Sequence, residues 1–390
     1  MTSNENHANE LMEAMRKASE VPQLAEGVEN LDAKKQLEKI SPIIKTIDAT
    51  KLTGEQVKLQ IESKVGEGNN GIVYKAISEE LGGTLAVKQV LLKEEKGKDV
   101  NFFIKSIVNL ITFSSSSIGC HPNIICTFGI IVNPRNLALI LPKNIEVLKT
   151  NNLLFSCDAI PNNQVYMLYE FIKGPTLREV IDNAQKNQGG AEGGSTKEVN
   201  YKLYGHQILS TLDYLHKKMY VHLDIKPENF MINSETDTVK FIDTEFLCKR
   251  IWPHCGVKGM SISYTSPEAY YSMIPGVKMP DKLYLPETDV FATGLVIYEM
   301  IMKKKGMSSI FFFERAEKEG KPELDLEFSE DKIKWKPLLQ SMVVREYHKR
   351  ITIAQALAQF EELLEGESKG GKRKTRKFKK RKGKSRKHRR

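Results

Sequence analysis

The chain has 390 residues, of which 40% are hydrophobic and 28% are charged, and these values exclude a fibrous or wholly disordered protein. Its net charge of +10 comes from one end, because 15 Lys and Arg residues lie between Lys369 and Arg390 with no acidic residue after Glu367. The other 44 basic and 49 acidic residues leave the rest of the chain mildly acidic, so a uniformly basic protein is also excluded.

No apolar run reaches the roughly 18 residues that a membrane-spanning helix needs, and the best candidate is the short stretch at residues 295–302. Residues 1–20 mix acidic, basic and amide side chains without the apolar core of a secretory signal. We therefore expect no membrane association and no secretion. The expected location is the cytoplasm or the nucleus.

The five cysteines are odd in number and lack paired C-x-x-C spacing, which argues against a disulfide framework or a zinc site. They are Cys120, Cys126, Cys157, Cys248 and Cys255. We expect reduced thiols. A metal site of Cys248, His254 and Cys255 is a minor alternative, because that spacing matches no closed tetrahedral site.

The first 58 residues carry apolar side chains at helical spacing, interrupted by Pro22 and Pro42, and this spacing predicts a helical extension over residues 1–58. The apolar positions are Leu11, Met12, Met15, Leu37, Ile40, Ile44 and Ile47. Apolar helix faces are usually buried, so we expect the extension to pack on the folded domain. Binding to a partner is the alternative.

Residues 59–171 are mainly strand-like, with β-branched and alternating apolar residues at 59–65, 72–77, 85–92, 124–132 and 165–171. Residues 100–113 have helical spacing, and an unusually long connection separates the last two strands. After Gly174 the pattern becomes helical, most strongly at 177–186, 201–219 and 290–302. The sequence thus predicts an α+β protein in which a small antiparallel sheet precedes a larger helical part.

A glycine-rich segment, Gly66-Glu67-Gly68-Asn69-Asn70-Gly71, lies between the first two predicted strands. Its G-x-G-x-x-G spacing lets backbone N–H groups approach phosphates closely, but alone it fits a plain hairpin turn equally well. Seventeen residues after Gly71, Lys88 ends an alternating apolar strand. The segment Leu85-Ala86-Val87-Lys88 resembles the V-A-I-K signature, and this resemblance implies that Lys88 contacts the α- and β-phosphates of a nucleotide. The alternative is an ordinary exposed strand lysine.

The segment His222-Leu223-Asp224-Ile225-Lys226-Pro227-Glu228-Asn229 resembles the H-R-D-L-K-P-E-N catalytic loop of the eukaryotic protein kinase family, serine/threonine branch. The resemblance implies that Asp224 accepts or orients the proton of the substrate hydroxyl and that Lys226 neutralises charge on the transferred phosphoryl group. It further implies that Asn229 binds Mg²⁺ together with Asp243, which stands in the place of the D-F-G aspartate.

This resemblance covers about residues 59–364 and implies a bilobed kinase-like fold that uses ATP and Mg²⁺. The implied N-lobe spans residues 59–172, the C-lobe spans 173–365, and residues 366–390 form a basic disordered tail. The implied ATP-binding residues are those of the glycine-rich segment, the strand lysine and the hinge, namely Val65, Gly66, Glu67, Gly68, Asn69, Asn70, Gly71, Ile72, Val73, Lys88, Glu170 and Ile172.

Later landmarks of the family follow in order, and Glu268 of Ser266-Pro267-Glu268 is expected to form a structural ion pair with Arg350. Three departures also occur. D-F-G becomes Asp243-Thr244-Glu245, the helix at 100–113 lacks a glutamate for Lys88, and Leu223 replaces an arginine that binds a phosphorylated activation loop in the family. Control by such phosphorylation is therefore not expected.

These residues together predict a serine/threonine protein kinase that phosphorylates protein substrates. The alternative is a pseudokinase scaffold that binds nucleotide or partners without efficient turnover, because of the departures above. A small-molecule phosphotransferase is disfavoured by Lys226 and the Ser266-Pro267-Glu268 segment. For the tail at 369–390 we expect nonspecific nucleic-acid binding or nuclear import in preference to an inert end.

Overall fold

A computed structural model describes residues 43–51, 53–68, 71–91, 114, 119–135, 153–188, 199–244, 247–250, 262–273, 286–304 and 324–366. These residues form two compact units. The β unit holds the described residues up to Leu177 together with Glu228–Lys249. The helical unit holds Arg178–Pro227 and the described residues from Arg250 onward.

Seven strands form the sheet of the β unit, and its order is β1-β2-β3-β4-β7-β5-β6. Their bounds are Thr46–Lys51 (β1), Gln56–Gly68 (β2), Gly71–Ser78 (β3), Gly83–Leu91 (β4), Thr127–Val132 (β5), Leu154–Ser156 (β6) and Gln164–Glu170 (β7). All neighbours are antiparallel except β5 and β6. β1 also pairs with β6, through Thr50–Ser156 and Lys51–Phe155, so the strand order closes on itself.

The predicted helical extension is wrong at its end, because Ile47 lies in β1. Burial alternates along this strand, with Ile47 and Ala49 inside, and that period of two belongs to a strand rather than a helix. β1 pairs with β2, and this pairing cannot be predicted from the local sequence pattern alone. Residues 1–42 of the predicted extension lie outside the described residues.

Two apolar clusters cover the two faces of this sheet. One cluster includes Ile47, Val87, Phe155 and Tyr166, and burial raises the pKa of the Tyr166 phenol to about 12. The other includes Val132, Val165, Met167 and Ile172. Met231, from the hairpin described next, and Ile242, which follows that hairpin, pack against this second cluster. The second apolar cluster therefore contacts Ile242, the residue immediately before Asp243.

The hairpin of the β unit consists of β9 (Phe230–Asn233) and β10 (Thr238–Phe241). Phe230 and Phe241 pack edge to face, with ring centroids 4.7 Å apart. The backbone N–H of Phe241 donates to the carbonyl of Asn123 at 2.8 Å, and the N–H of Ile125 donates to the carbonyl of Phe241 at 2.9 Å. These bonds fix the strand that leads to Asp243.

The helical unit is built around α4 (Pro286–Met302), which is buried on all sides. The other helices are α1 (Leu177–Gln188), α2 (Tyr201–Lys217), α3 (Pro267–Met273), α5 (Lys336–Met342) and α6 (residues 353–366). The short strand β8 (Tyr220–Val221) also belongs to this unit, whereas the short strand β11 (Cys248–Lys249) belongs to the β unit. A Cβ on Gly294 would lie 2.9 Å from Met342, so α4 and α5 pack closely.

The predicted α+β architecture is confirmed, since a β-rich part precedes a mostly helical one. The five predicted strands and the three helices after Gly174 all occur with small shifts in their ends. The predicted helix at 100–113 and the basic tail lie outside the described residues. Within the part of the chain that is described, no helix combines the length and apolarity needed to cross a bilayer.

The prediction of reduced cysteines is wrong for Cys120 and Cys126, which are joined by a disulfide with a Cα–Cα distance of 5.2 Å. A turn at residues 121–124, closed by a hydrogen bond from the N–H of Ile124 to the carbonyl of His121, brings the two residues together. Cys248 is also disulfide-bonded, whereas Cys157 is a buried free thiol. The described residues contain no cluster of three or more metal-ligating side chains, and the minor alternative involving His254 and Cys255 lies outside them.

Candidate active site

The glycine-rich segment forms the end of the β2–β3 hairpin, where Gly66 is opposite Val73 and Gly68 is opposite Gly71. Gly71 has a φ of +142°, and a Cβ there would lie 2.2 Å from the carbonyl oxygen of Gln89 in β4. Only glycine fits such a position. Asn69 and Asn70, at the tip, lie outside the described residues. The hairpin thus brings bare backbone close to β4, the strand that carries Lys88.

Lys88 is buried, with 6% of its surface exposed, so the alternative of an ordinary exposed strand lysine is excluded. In β4 it is opposite Val73 on one side and Met167 on the other. Its Nζ lies 2.5 Å from Oδ1 of Asp243. Residues 92–113, which include the predicted helix that lacks a glutamate for Lys88, lie outside the described residues.

Asp243 follows β10 in a left-handed conformation with a φ of +55°, which costs a non-glycine residue about 1–3 kcal/mol. The N–H of Ile242 donates to the carbonyl of Asn229 at 2.9 Å, so Asn229 lies beside the Asp243 backbone. The side chain of Asn229 is buried, with 2% of the residue exposed. A carboxylate and an amide oxygen are ligands that Mg²⁺ prefers, so this pair fits the predicted metal site.

Thr244 stands where the kinase family has phenylalanine, and it is fully buried. Its Oγ1 has no hydrogen-bond partner among the described residues. Its carbonyl accepts a hydrogen bond from the N–H of Leu247 at 3.1 Å, which begins a short turn. Glu245 lies outside the described residues. The apolar side chain of the family is thus replaced by a smaller buried hydroxyl.

Glu170, at the end of β7, is bonded through both backbone and side chain. Its N–H donates to the carbonyl of Cys126 at 2.9 Å, and its Oε1 accepts from the N–H of Cys126 at 2.7 Å. The same Oε1 lies 2.8 Å from Nζ of Lys240 in β10. Ile172, also predicted to line the nucleotide site, is buried in the second apolar cluster.

Lys240 is a residue that the motif analysis missed. It lies in an otherwise apolar strand, between the buried side chains of Val239 and Phe241, and is itself 9% exposed. A lysine in such a strand requires an acidic partner, because burying an unpaired charge is costly. The sequence could therefore have shown that Lys240 needs an acidic partner, although it does not identify Glu170 as that partner.

In the helical unit, Nζ of Lys226 lies 2.8 Å from Oδ2 of Asp224. Asp224 is 6% exposed, whereas the Lys226 side chain is 20% exposed. His222 is fully buried, and its Nδ1 accepts the N–H of Asp224 at 3.4 Å.

Asp289, at the start of α4, holds the loop that precedes Asp224. Its carboxylate accepts the backbone N–H groups of His222 and Leu223 at 2.8 Å each, and lies 2.9 Å from Nε2 of His216. Burial alone would raise the pKa of Asp289, but the interactions with His216 and His222 outweigh burial and lower it. These bonds support the left-handed φ of +66° at Leu223.

The predicted ion pair between Glu268 and Arg350 is confirmed. Two guanidinium nitrogens of Arg350 donate to the two carboxylate oxygens of Glu268 at 2.6 and 2.8 Å. Glu268 is 1% exposed and Arg350 is 6% exposed. Burial would raise the pKa of Glu268, but the charge and hydrogen bonds of Arg350 outweigh it and the net pKa is lowered.

A second buried ionic cluster, which sequence reasoning did not identify, joins α1 to α4. Nη2 of Arg178 donates to Oε2 of Glu299 at 2.8 Å, and the hydroxyl of Tyr264 donates to Oε1 at 3.0 Å. Arg178 also donates to the Tyr264 hydroxyl. The cluster thus ties Tyr264, which lies just before the Ser266-Pro267-Glu268 segment, to α1 and α4.

The structure thus brings Lys88, Asn229 and Asp243 together in the β unit, and Asp224 and Lys226 together in the helical unit. Glu170 lies at the end of a neighbouring strand of the β unit. Within that unit Val65, Glu67, Ile72 and Val73 belong to β2 and β3, as the glycine segment requires.

Comparison with known proteins identifies similarity over most of the chain. The family model described as the protein kinase domain matches residues 59–360. Extracellular signal-regulated kinase 7 of Drosophila melanogaster is 23% identical over 248 residues, which cover 63% of this chain and 22% of that protein. Cyclin-dependent kinase G1 of Arabidopsis thaliana is 26% identical over 251 residues, which cover 62% of this chain and 32% of that protein.

A probable cyclin-dependent serine/threonine-protein kinase of Dictyostelium discoideum is 36% identical over 100 residues, or 26% of this chain and 6% of that protein. The chain therefore spans a third or less of the length of these curated relatives.

Proposed function

Because this chain belongs to the protein kinase domain family, we propose that it transfers the γ-phosphate of ATP to Ser or Thr hydroxyl groups of protein substrates. The observation that carries the proposal is the contact between the buried Lys88 and Asp243, with Asn229 beside the Asp243 backbone. A buried cation, an acidic group and an amide at one place are what a metal-bound triphosphate requires.

Lys88 and the glycine-rich hairpin are proposed to bind the triphosphate. β4 places Lys88 opposite Val73, two residues after Gly71, and Gly66, Gly68 and Gly71 carry no side chains that would keep phosphates from the backbone. The adenine base is proposed to contact the chain at Glu170 to Ile172, where β7 ends and the apolar cluster begins. The ion pair with Lys240 holds Glu170 in place.

Asp243 and Asn229 are proposed to hold Mg²⁺, which when bound neutralises charge on the phosphate oxygens. Lys88 is proposed to leave the Asp243 carboxylate for the phosphates when the nucleotide binds. The hydrogen bond between Ile242 and Asn229 keeps the backbone of Asn229 next to the segment that carries Asp243.

Asp224 is proposed to orient the substrate hydroxyl and accept its proton, because it is the carboxylate of the loop that Asp289 anchors. Lys226 is proposed to neutralise charge on the phosphoryl group as it moves to the hydroxyl oxygen. Asp224 precedes Asn229 by five residues in one loop, so the proton acceptor and the metal ligand are connected by a short stretch of chain.

The tail at 369–390 is proposed to bind nucleic acid nonspecifically or to direct the protein to the nucleus, on the basis of its 15 basic residues. The protein is proposed to act in the cytoplasm or nucleus. A polycationic segment binds through counterion release, so nucleic-acid binding by the tail would weaken steeply as salt rises.

Phosphate transfer from labelled ATP to a basic and an acidic model protein tests the proposed activity. The chain and its Asp224→Asn variant are compared, with Asp325→Asn as a matched control, because Asp325 is exposed and its Oδ1 lies 2.7 Å from Nζ of the surface residue Lys336. We expect transfer to Ser and Thr by the chain and the control variant, and about a 100-fold or larger loss in Asp224→Asn.

Equal transfer by the chain and Asp224→Asn would refute the proposal. Tight binding of Mg²⁺-ATP with no transfer to any tested protein would favour the alternative of a pseudokinase scaffold, which was raised by the Asp243-Thr244-Glu245 departure.

A further inference from the structure

We propose that Cys120 and Cys126 form a reversible thiol–disulfide modification site that controls how tightly the protein binds nucleotide. The disulfide closes the segment Cys120–Cys126, here called the cystine loop. This inference rests on the proposed function, because the nucleotide concerned is Mg²⁺-ATP.

The cystine loop is bonded to the strand that leads to the metal site. The carbonyl of Asn123 accepts the N–H of Phe241 at 2.8 Å, and its Nδ2 donates to the carbonyl of Val239 at 2.9 Å. The N–H of Ile125 donates to the carbonyl of Phe241 at 2.9 Å. Three hydrogen bonds thus link the loop to β10, which ends two residues before Asp243.

The same loop is bonded to the predicted hinge. The peptide groups at Cys126 both donate to and accept from Glu170, at 2.7 and 2.9 Å. Lys240 of β10 contacts the same carboxylate oxygen of Glu170. A displacement of Cys126 would therefore break bonds at the end of β7 and leave the Lys240–Glu170 pair without its third member.

The two sulfurs differ in access, because Cys120 is exposed whereas Cys126 is 2% exposed. The thiolate of a small thiol, RSH, attacks Sγ of Cys120, the disulfide breaks, and Cys126 leaves and takes up a proton. A second RSH attacks the mixed disulfide, which releases Cys120 as a thiol and forms RSSR. The protein gains two electrons and two protons, and two RSH molecules lose them. RSSR drives the reverse reaction.

Reduction frees a loop that the cross-link had restricted, and the loop regains conformational freedom. A smaller fraction of molecules then has β10 and Glu170 in their bonded positions. Apparent affinity falls in proportion to the fraction of molecules in the binding-competent state. In reducing compartments, disulfides are usually redox-sensing or catalytic, which agrees with a controlling role. We expect affinity for Mg²⁺-ATP to fall about three- to tenfold on reduction.

The test is isothermal titration calorimetry of Mg²⁺-ATP with the full chain, after oxidation by glutathione disulfide and after reduction by glutathione. Alkylation and mass spectrometry verify the state of Cys120 and Cys126. Cys120→Ser should bind with the affinity of the reduced protein under both conditions. Cys248→Ser is the matched control, because it removes a different disulfide and should keep the redox response.

Equal affinity in the two redox states overturns the proposal, and so does a response that survives in Cys120→Ser but disappears in Cys248→Ser. Amide hydrogen exchange at Ile125 and Phe241 provides a readout that needs no nucleotide, and reduction should accelerate it. If no form binds Mg²⁺-ATP, the proposed function fails. In that case faster exchange on reduction supports the thiol–disulfide site, and unchanged exchange overturns it.

Discussion

Replacing Glu268 by glutamine tests the energetic role of the buried ion pair with Arg350. The substitution preserves shape, but it leaves a guanidinium group that is 6% exposed without its counter-charge. Arg350 would keep its hydrogen bonds to the carbonyls of Val344 and Arg345, at 2.6 and 3.0 Å, which do not neutralise it. Breaking a buried pair in this way costs about 3–5 kcal/mol.

A loss of this size is large enough to measure by thermal unfolding. For a domain of about 150–250 residues, 1 kcal/mol lowers Tm by about 2–4 °C, so Glu268→Gln should lower Tm by about 6–20 °C at pH 7. Differential scanning calorimetry is the assay. The double variant Glu268→Leu with Arg350→Met is the control, because replacing both partners by apolar side chains is often neutral or stabilising.

The pH dependence of the same variant has a defined sign. The pKa of Glu268 is lower in the folded protein than its ordinary value of 4.5. The contribution of ionised Glu268 to the free energy of unfolding is therefore fully present above about pH 4.5. It is lost as the pH falls through the lower pKa that Glu268 has in the folded protein. The difference in Tm between the chain and Glu268→Gln should narrow below pH 4.5. A Tm for Glu268→Gln within about 2 °C of the parent at pH 7 would refute the reasoning.

Three further substitutions address the nucleotide site and its supports. Gly71→Ala places a Cβ 2.2 Å from the Gln89 carbonyl oxygen, so the affinity for Mg²⁺-ATP measured by calorimetry should fall about tenfold. Gly66→Ala is the control, because a Cβ at Gly66 meets nothing within 4 Å and should change the affinity less. Lys240→Met leaves Glu170 without its cation, and steady-state kinetics should show a three- to tenfold higher KM for ATP (roughly 0.6–1.4 kcal/mol) with a smaller change in kcat. Asp289→Asn removes one of the two carboxylate oxygens that accept the backbone N–H groups of His222 and Leu223. The free energy of unfolding, measured by thermal unfolding, should therefore fall by about 2–3 kcal/mol. An unchanged Tm would contradict the anchoring role of Asp289.

The motifs were predictable because each combines residues close in sequence with a strand or helix that local patterns specify. The glycine segment fell between two alternating strands, and the segment containing Asp224 followed a strongly periodic helix. The Glu268–Arg350 pair was predictable only through the family resemblance, since 82 residues separate the partners. The roles of the site residues in binding and catalysis stay predictions.

The remaining contacts depend on distant pairings that local patterns do not specify. The alternation of Ile47 and Ala49 in β1 was present in the sequence, but the isoleucines at helical spacing, Ile40, Ile44 and Ile47, favoured the wrong period. The pairing of Lys88 with Asp243 joins residues 155 positions apart. The disulfide depended on a turn that brings two Cα atoms within bonding range, and spacing alone does not determine that distance.

The closure of β1 onto β6 affects how other chains can associate with this sheet. An open edge strand presents unpaired N–H and C=O groups to which an extended peptide can add as a further strand. β1 has a neighbour on each side, β2 and β6, and β6 in turn has β5 and β1. Strand addition at this seam is therefore blocked over the paired residues, and a protein that docks there has to recognise side chains instead of backbone.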